Sequence, residues 1–313
     1  MAKIALLVGV SQCRSGFKPL PAAARDVEAL QAVLKDPERG GFEVVQVLVD
    51  PEFYALRRAI SNLFTNRAED DLLLFYFSGH GIADEYGQFY FTAADTQDGD
   101  NGRTDLATTL ESRFVHQVMG RCDSERQVVI LDCCHSGAFP EGMLARGAET
   151  IDFAQQLGGR GRVVLASSAA MDYSFEREGE ELAIYTRYLV EGLSTGAADL
   201  DEDGQISADE LHEYVKRKVQ KAAPSMLPER YVFQDGEKIL LAKAVMADPE
   251  RRYRKCVEQY SEQGVILPTG RRILRITCRN LRLSESVAER IEAEVLQPYR
   301  EYQESLLEYG EVL

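Results

Sequence analysis

Leu72-Leu73-Leu74-Phe75-Tyr76-Phe77-Ser78-Gly79-His80-Gly81 and Val128-Val129-Ile130-Leu131-Asp132-Cys133-Cys134-His135-Ser136-Gly137 decide how this chain folds. Each begins with an unbroken apolar run, the pattern of a parallel strand buried on both faces. Each then passes into a short polar motif. If the two strands are neighbours and stop at the same edge, a histidine comes to lie beside a cysteine. An imidazole within reach of a thiol is what a cysteine nucleophile requires. His80 precedes Cys134 by 54 residues.

Around these two runs, short apolar segments alternate with helical patterns. The alternation predicts an α/β fold with a mainly parallel six-stranded sheet flanked by helices. Strands are expected at 3–10, 42–49, 71–77, 127–131, 163–166 and 238–242, with a hairpin arm at 88–92. Helices are expected at 22–34, 52–64 and 108–119; the first carries Val27, Leu30 and Leu34 on one face. The Gly-rich stretch 138–161 lacks sustained periodicity and reads as a mobile linker. After residue 246 the pattern turns helical, with Val287, Ile291 and Val295 at helical spacing behind Ser284. Residues 247–313 are expected to form a small separate helical module, which could serve as an adaptor, a lid or a dimerisation surface and could bind another protein.

The net charge of −15 argues against nucleic acid as a partner and favours a basic substrate segment. No apolar run approaches the roughly 18 residues of a membrane span. The N-terminus enters the strand-like Ile4-Ala5-Leu6-Leu7-Val8 with no signal pattern, so neither secretion nor membrane attachment is expected. The six cysteines, 13, 122, 133, 134, 256 and 278, fit neither a disulfide framework nor a zinc site. A reducing, cytoplasmic location follows as the expectation.

The pair Ser78-Gly79-His80-Gly81 and Asp132-Cys133-Cys134-His135-Ser136-Gly137, in this order and spacing, resembles the caspase-like clan of cysteine peptidases, and more closely its metacaspase and bacterial branches. A third match is Ala166-Ser167-Ser168 followed by Tyr173-Ser174-Phe175, where the small-subunit part of that family begins. The resemblance covers residues 1–245, with a large-subunit part at about 1–137, the linker 138–161 and a small-subunit part at 162–245. It implies the caspase-haemoglobinase type of sheet. It implies a cysteine endopeptidase with Cys134 as nucleophile, His80 as general base and acid, and the backbone N–H groups of Gly81 and Cys134 as oxyanion hole. Cys133 is expected to pack behind the strand.

Caspases proper hold an acidic P1 side chain with arginines, whereas the metacaspase-like branch has an acidic pocket that takes Arg or Lys. Carried over by motif, Asp26, Ser78 and Asp132 line that pocket, with Ser168 and Tyr173 as further substrate contacts. A carboxylate pair suits a bidentate guanidinium. This chain has Ala22 where an acid-cleaving caspase supplies an arginine. An enzyme that cuts after basic residues could process itself at Arg146 or Arg160 of the linker.

Residues 199–210 match the EF-hand calcium loop: Asp199, Asp201 and Asp203 at positions 1, 3 and 5, Gly204 at 6, Gln205 at 7 through its carbonyl, Ile206 at 8, Ser207 at 9 and Glu210 at 12. Helical patterns flank the loop. Calcium is therefore expected as a structural or regulatory ion, with no cofactor for the chemistry. The competing reading is a catalytically silent, calcium-binding signalling scaffold on the same fold.

Overall fold

The computed structural model describes residues 1–100, 102–137, 152–167, 181–233, 239–244, 249–262 and 265–310; side chains of 134–137, 251, 262 and 298–310 fall outside that description. The described chain divides into two compact units, Met1–Leu200 with Gln205–Val245, and Met246–Leu313 with Asp201–Gly204.

In the first unit the elements run β1 (Lys3–Gly9), α1 (Ala22–Lys35), β2 (Val44–Val49), α2 (Phe53–Phe64), β3 (Leu72–Ala83), β4 (Phe89–Phe91), β5 (Leu110–Glu111), α3 (Ser112–Gly120), β6 (Arg126–Gly137), α4 (Phe153–Leu157), β7 (Arg162–Ala166), α5 (Ile184–Thr195), β8 (Gln205–Ser207), α6 (Ala208–Ala222), β9 (Glu229–Phe233) and β10 (Leu240–Lys243). The main sheet has the order β2-β1-β3-β6-β7-β9. Its first five strands are parallel, and β9 closes the edge antiparallel to β7. β4 and β5 form an antiparallel arm on the end of β3.

Strand alternation sends side chains to two cores. Ala5, Leu7, Leu72, Leu74, Tyr76, Val128 and Ile130 pack against α1, α5 and α6. Leu6, Val8, Leu73, Phe75, Phe77, Val129 and Leu131 pack on the other face with α2 and α3. Each fully buried Leu or Phe contributes about 1.5–3 kcal/mol relative to exposure. Gly9 lets α1 close down on β1: an added Cβ would stand 2.3 Å from the Ala23 carbonyl oxygen.

Four expectations are corrected. The sixth strand of the sheet is β9, not the 238–242 segment; that region forms β10, which pairs antiparallel with β8 outside the main sheet. Strands β3 and β6 run to Ala83 and Gly137, through the polar motifs rather than stopping before them, because the two motifs pair with each other. Residues 112–120 form α3, and the preceding 108–111 stretch is not helical in the α sense. Within the linker, 138–151 lies outside the described residues, but 153–157 is helical, with Phe153 and Leu157 buried and Phe153 edge-on to Phe89 and Tyr231. That part of the linker is packed.

The second unit contains α7 (Pro249–Gln259), a small hairpin of β11 (Ser261–Glu262) and β12 (Val265–Ile266), α8 (Pro268–Asn280) and α9 (Glu285–Gly310). Tyr253, Val257, Leu274, Ile291 and Leu296 form its core.

Candidate active site

β3 and β6 bring the two motifs together. Their parallel register sets Ser78 opposite Asp132 and His80 opposite Cys134. Neighbouring strands lie about 4.8 Å apart. By alternation, positions 76, 78, 80, 130, 132 and 134 belong to one parity. The other parity takes Cys133, which is 3% exposed and embedded in the opposite core. The Cys134 side chain lies outside the described residues; its backbone position is opposite His80. The site sits at the carboxyl ends of the strands, where open α/β sheets place their ligands.

The loop between β1 and α1 holds His80. Its ring stacks on Phe17 with centroids 4.8 Å apart and 21° between planes. Nε2 lies 2.7 Å from the Lys18 carbonyl oxygen. A carbonyl only accepts, so Nε2 carries the proton and donates, which leaves Nδ1 as the basic nitrogen. Burial lowers the imidazole pKa, and the bond to Lys18 opposes that shift. The loop is itself braced: Asp50 accepts from the Ser11 amide at 2.7 Å and the Ser11 hydroxyl at 2.8 Å. The carbonyl of His80 accepts from the Thr92 amide and hydroxyl at 3.2 and 3.0 Å.

Gly79 and Gly81 do not use left-handed backbone here. A Cβ on Gly79 would lie 2.9 Å from the Phe77 ring and 3.1 Å from Val10, so close packing is what demands a glycine. Gly81 pairs with Phe91 on one side and with His135, the residue after Cys134, on the other.

Three of the five expected substrate residues are gathered. Asp26, fully buried on α1, accepts from the Ser78 hydroxyl at 3.1 Å and from the Ala183 amide at 3.0 Å. It ties α1, β3 and the start of α5 into one unit. Half-buried Asp132 accepts from the Thr186 hydroxyl at 2.6 Å, and that hydroxyl also meets the Tyr76 hydroxyl at 2.5 Å. The Tyr76 pKa is pushed well up, first by burial and then by the charges of Asp26 and Asp132. The Tyr185 hydroxyl is raised likewise, by burial and by Asp132, and has no hydrogen-bond partner among the described residues. Ser168, Tyr173 and Arg146 lie outside the described residues. Arg160 is exposed and pairs with Glu125 at 3.3 Å.

Sequence reasoning missed Phe17, Lys18, Thr186 and Tyr185. Lys18 acts through its backbone carbonyl, which has no residue-type signature. A tyrosine within the apolar run 72–77 was a usable signal, since a buried phenol needs a partner.

In the 199–210 loop, carboxylate oxygens of Asp199, Asp201 and Asp203 come within 4.8 Å of one another. Gly204 has φ +88°, the sharp turn required at position 6. Glu210 reaches back so that one oxygen accepts from the Leu200 amide at 2.9 Å and the other from the Ser207 amide at 3.0 Å. The Ser207 hydroxyl in turn completes a capping box on α6. Buried Ile206 pairs with Ala242 of β10. The clustered donor set is three carboxylates, oxygen-only and suited to a hard cation, while both oxygens of Glu210 accept hydrogen bonds within the protein. Arg252 donates to the Glu202 and Asp203 carbonyls at 3.0 and 2.7 Å.

No helix among the described residues is long and apolar enough to cross a membrane. The profile of the caspase domain family matches residues 2–239. No curated protein matches the chain. Among solved structures, the crystal structure of protein GSU0716 from Geobacter sulfurreducens is similar, with a TM-score of 0.53 and 17% identity, covering 76% of this chain and 97% of that one. At that identity the likeness is one of fold.

Proposed function

The chain belongs to the caspase domain family, whose members are cysteine peptidases, and from that premise we propose that it is a cysteine endopeptidase cleaving after Arg or Lys. The observation that carries this reading is the register of His80 against Cys134, with Ser78, Asp132 and Asp26 gathered beside it. Cys134 is the nucleophile. Nδ1 of His80 takes the thiol proton as sulfur attacks the scissile carbonyl, and Nε2 stays donated to Lys18, so the ring holds its orientation throughout. The charge that develops on the carbonyl oxygen is met by the N–H groups of Gly81 and Cys134. Collapse of the tetrahedral species expels the amine, which takes the proton back from His80. Water then hydrolyses the thioester by the same proton path.

Asp132 is the better placed of the two acids to meet a P1 guanidinium, because it is half-exposed. Asp26, with both oxygens engaged inside the protein, supports the pocket and adds negative field. Ser168 and Tyr173 complete the substrate contacts in this reading. Cleavage at Arg146 or exposed Arg160 is the self-processing step, and the 199–210 loop takes calcium through Asp199, Asp201, Asp203, Gln205 and Glu210. The reading also locates the enzyme in the cytoplasm, where thiols stay reduced; the described cysteines 13, 122, 133, 256 and 278 form no disulfide.

A fluorogenic peptide with arginine at P1, assayed with calcium present, tests the chemistry. Turnover by the wild type that is lost in Cys134→Ala and kept in Cys133→Ala is the expected result. No turnover by the wild type, or equal turnover by Cys134→Ala, removes the proposal and leaves the scaffold reading. Mass spectrometry of purified wild type and Cys134→Ala tests self-processing: fragments ending at Arg146 or Arg160 should appear only in the wild type.

A further inference from the structure

The second unit carries a charge pattern that the peptidase reading does not use. Between Val265 and Leu283 there are five arginines and no carboxylate, in a chain of net charge −15. Arg271, Arg275 and Arg279 recur every four residues and so share one stripe of α8, with Arg272 beside it. These four arginines, with Ile266, Pro268 and Ile276, line a groove of about 600 Å³. Arg271 is neutralised by Glu292, but Arg272, Arg275 and Arg279 form no ion pair among the described residues. Val265, Leu267 and Ile276 stand exposed around it at 60%, 43% and 51%. Three guanidinium groups with no ion pair among the described residues, next to exposed aliphatic side chains, call for an acidic, apolar-bearing partner. The aliphatic rim gives a nucleic-acid backbone nothing to contact, and a concave groove fits a helix better than a flat bilayer.

The same unit contains a segment of that chemistry. Beyond Leu296, α9 continues to Gly310 with Glu301, Glu304 and Glu308 at spacings of three and four, interleaved with Tyr302, Leu306 and Tyr309. On a helix this places the three glutamates on one stripe. From first to last residue the acidic stripe covers seven helical rises and the arginine stripe eight, so their lengths match at roughly 11 and 12 Å. Its own chain cannot bring the two together. α8 and α9 are joined by a short turn, and Glu292 already stands beside Arg271 in the first turns of α8, so the helices form an antiparallel hairpin. From Glu292 onward α9 runs past the start of α8, and Glu301 to Glu308 lie roughly 14–24 Å further out, while Arg275 and Arg279 lie in the opposite direction. Pro298 bends a helix but does not reverse it.

We propose that the arginine groove of α8 receives the acidic end of α9 from a second copy of this chain, in a reciprocal dimer. Each copy then offers one groove and one tail, which satisfies two-fold symmetry. Mutual exchange leaves no unsatisfied groove and stops growth at two chains.

Sedimentation of the full chain, carrying Cys134→Ala so that processing cannot change its mass, reads the prediction. The parent should show a concentration-dependent monomer–dimer equilibrium. Arg275→Glu with Arg279→Glu should weaken dimerisation at least tenfold, and so should Glu301→Lys, Glu304→Lys and Glu308→Lys together, with circular dichroism unchanged in both. An equimolar mixture of these two variants should dimerise again, because each groove then meets an opposite charge. A parent that stays monomeric at its highest soluble concentration overturns the proposal. So does a dimer that survives either charge reversal, or a mixture in which dimerisation is not recovered.

Discussion

Replacing Asp132 with asparagine separates recognition of the P1 charge from the chemistry. Asparagine keeps the size of the side chain and one carbonyl oxygen, so it can still accept from the Thr186 hydroxyl that holds Asp132 at 2.6 Å. What disappears is the negative charge. A hydrogen bond to a charged group is worth about 1.5–3 kcal/mol net, and Asp132 is only half-buried, which favours the lower part of that range. The preference for arginine over an uncharged isostere should therefore drop by about 10- to 100-fold, since each 1.36 kcal/mol is a factor of ten. The assay compares kcat/KM for two peptides that differ only in arginine or citrulline at P1, for wild type and Asp132→Asn. The arginine/citrulline ratio should collapse while citrulline turnover changes little. Equal losses on both peptides would place Asp132 in the support of the fold or of the dyad instead of in the pocket. Thr186→Val, which removes the brace and keeps the charge, should lower the same ratio by a few-fold only.

Phe17→Ala should move the acid limb of the kcat/KM profile to higher pH. The sign follows because burial lowers the His80 pKa, and uncovering the ring returns it toward the free value; an unmoved limb would show that Phe17 does not bury it. His212, buried and pushed down to about 4 chiefly by burial and then by Arg230, stays neutral in the fold while the unfolded chain takes up a proton near 6.5. Stability linked to it is complete above that value and is lost as pH falls from about 6.5 to about 4, on the order of 3 kcal/mol in all. Urea unfolding of wild type and His212→Asn at pH 7 and pH 4.5 should show a smaller acid loss in the variant; equal losses would rule His212 out as the source. Calcium at a hundred times its dissociation constant should stabilise the wild type by about 2.7 kcal/mol, raising its melting temperature, and should leave Glu210→Gln unchanged; no shift in the wild type ends the calcium proposal.

The sheet was legible because short unbroken apolar runs such as Leu72–Phe77 and Val128–Leu131, bounded by polar and glycine-bearing segments, suit a strand covered on both faces. The placement of His80 opposite Cys134 then followed from the two motifs ending those runs. The extent of β3 was not legible, since Ser78-Gly79-His80-Gly81 has little strand propensity of its own and is held extended by pairing on both sides. β9 was missed for a similar reason: Glu229-Arg230-Tyr231-Val232-Phe233 is short and half polar, and only its position against β7 makes it a strand. The 238–242 run was read as part of the main sheet because periodicity reports a strand but not its partner. Within the site, Asp26 and Asp132 came from the family resemblance, which did not tell their surroundings apart. Asp26 is fully buried with its oxygens bonded to Ser78 and Ala183, whereas Asp132 is half-exposed. Phe17 and Lys18 fall in a loop whose importance comes from one stacking contact and one backbone carbonyl, neither of which any spacing rule encodes.

Reaction of the whole chain with a peptidyl electrophile bearing arginine at P1, followed by intact mass and peptide mapping, tests the Cys134–His80 pairing most directly. One adduct per chain on Cys134, formed much more slowly in His80→Ala and suppressed by an arginine-containing peptide substrate, is the expected result. An adduct on Cys133 or another thiol, a rate indifferent to His80, or no adduct at saturating reagent and calcium would contradict it.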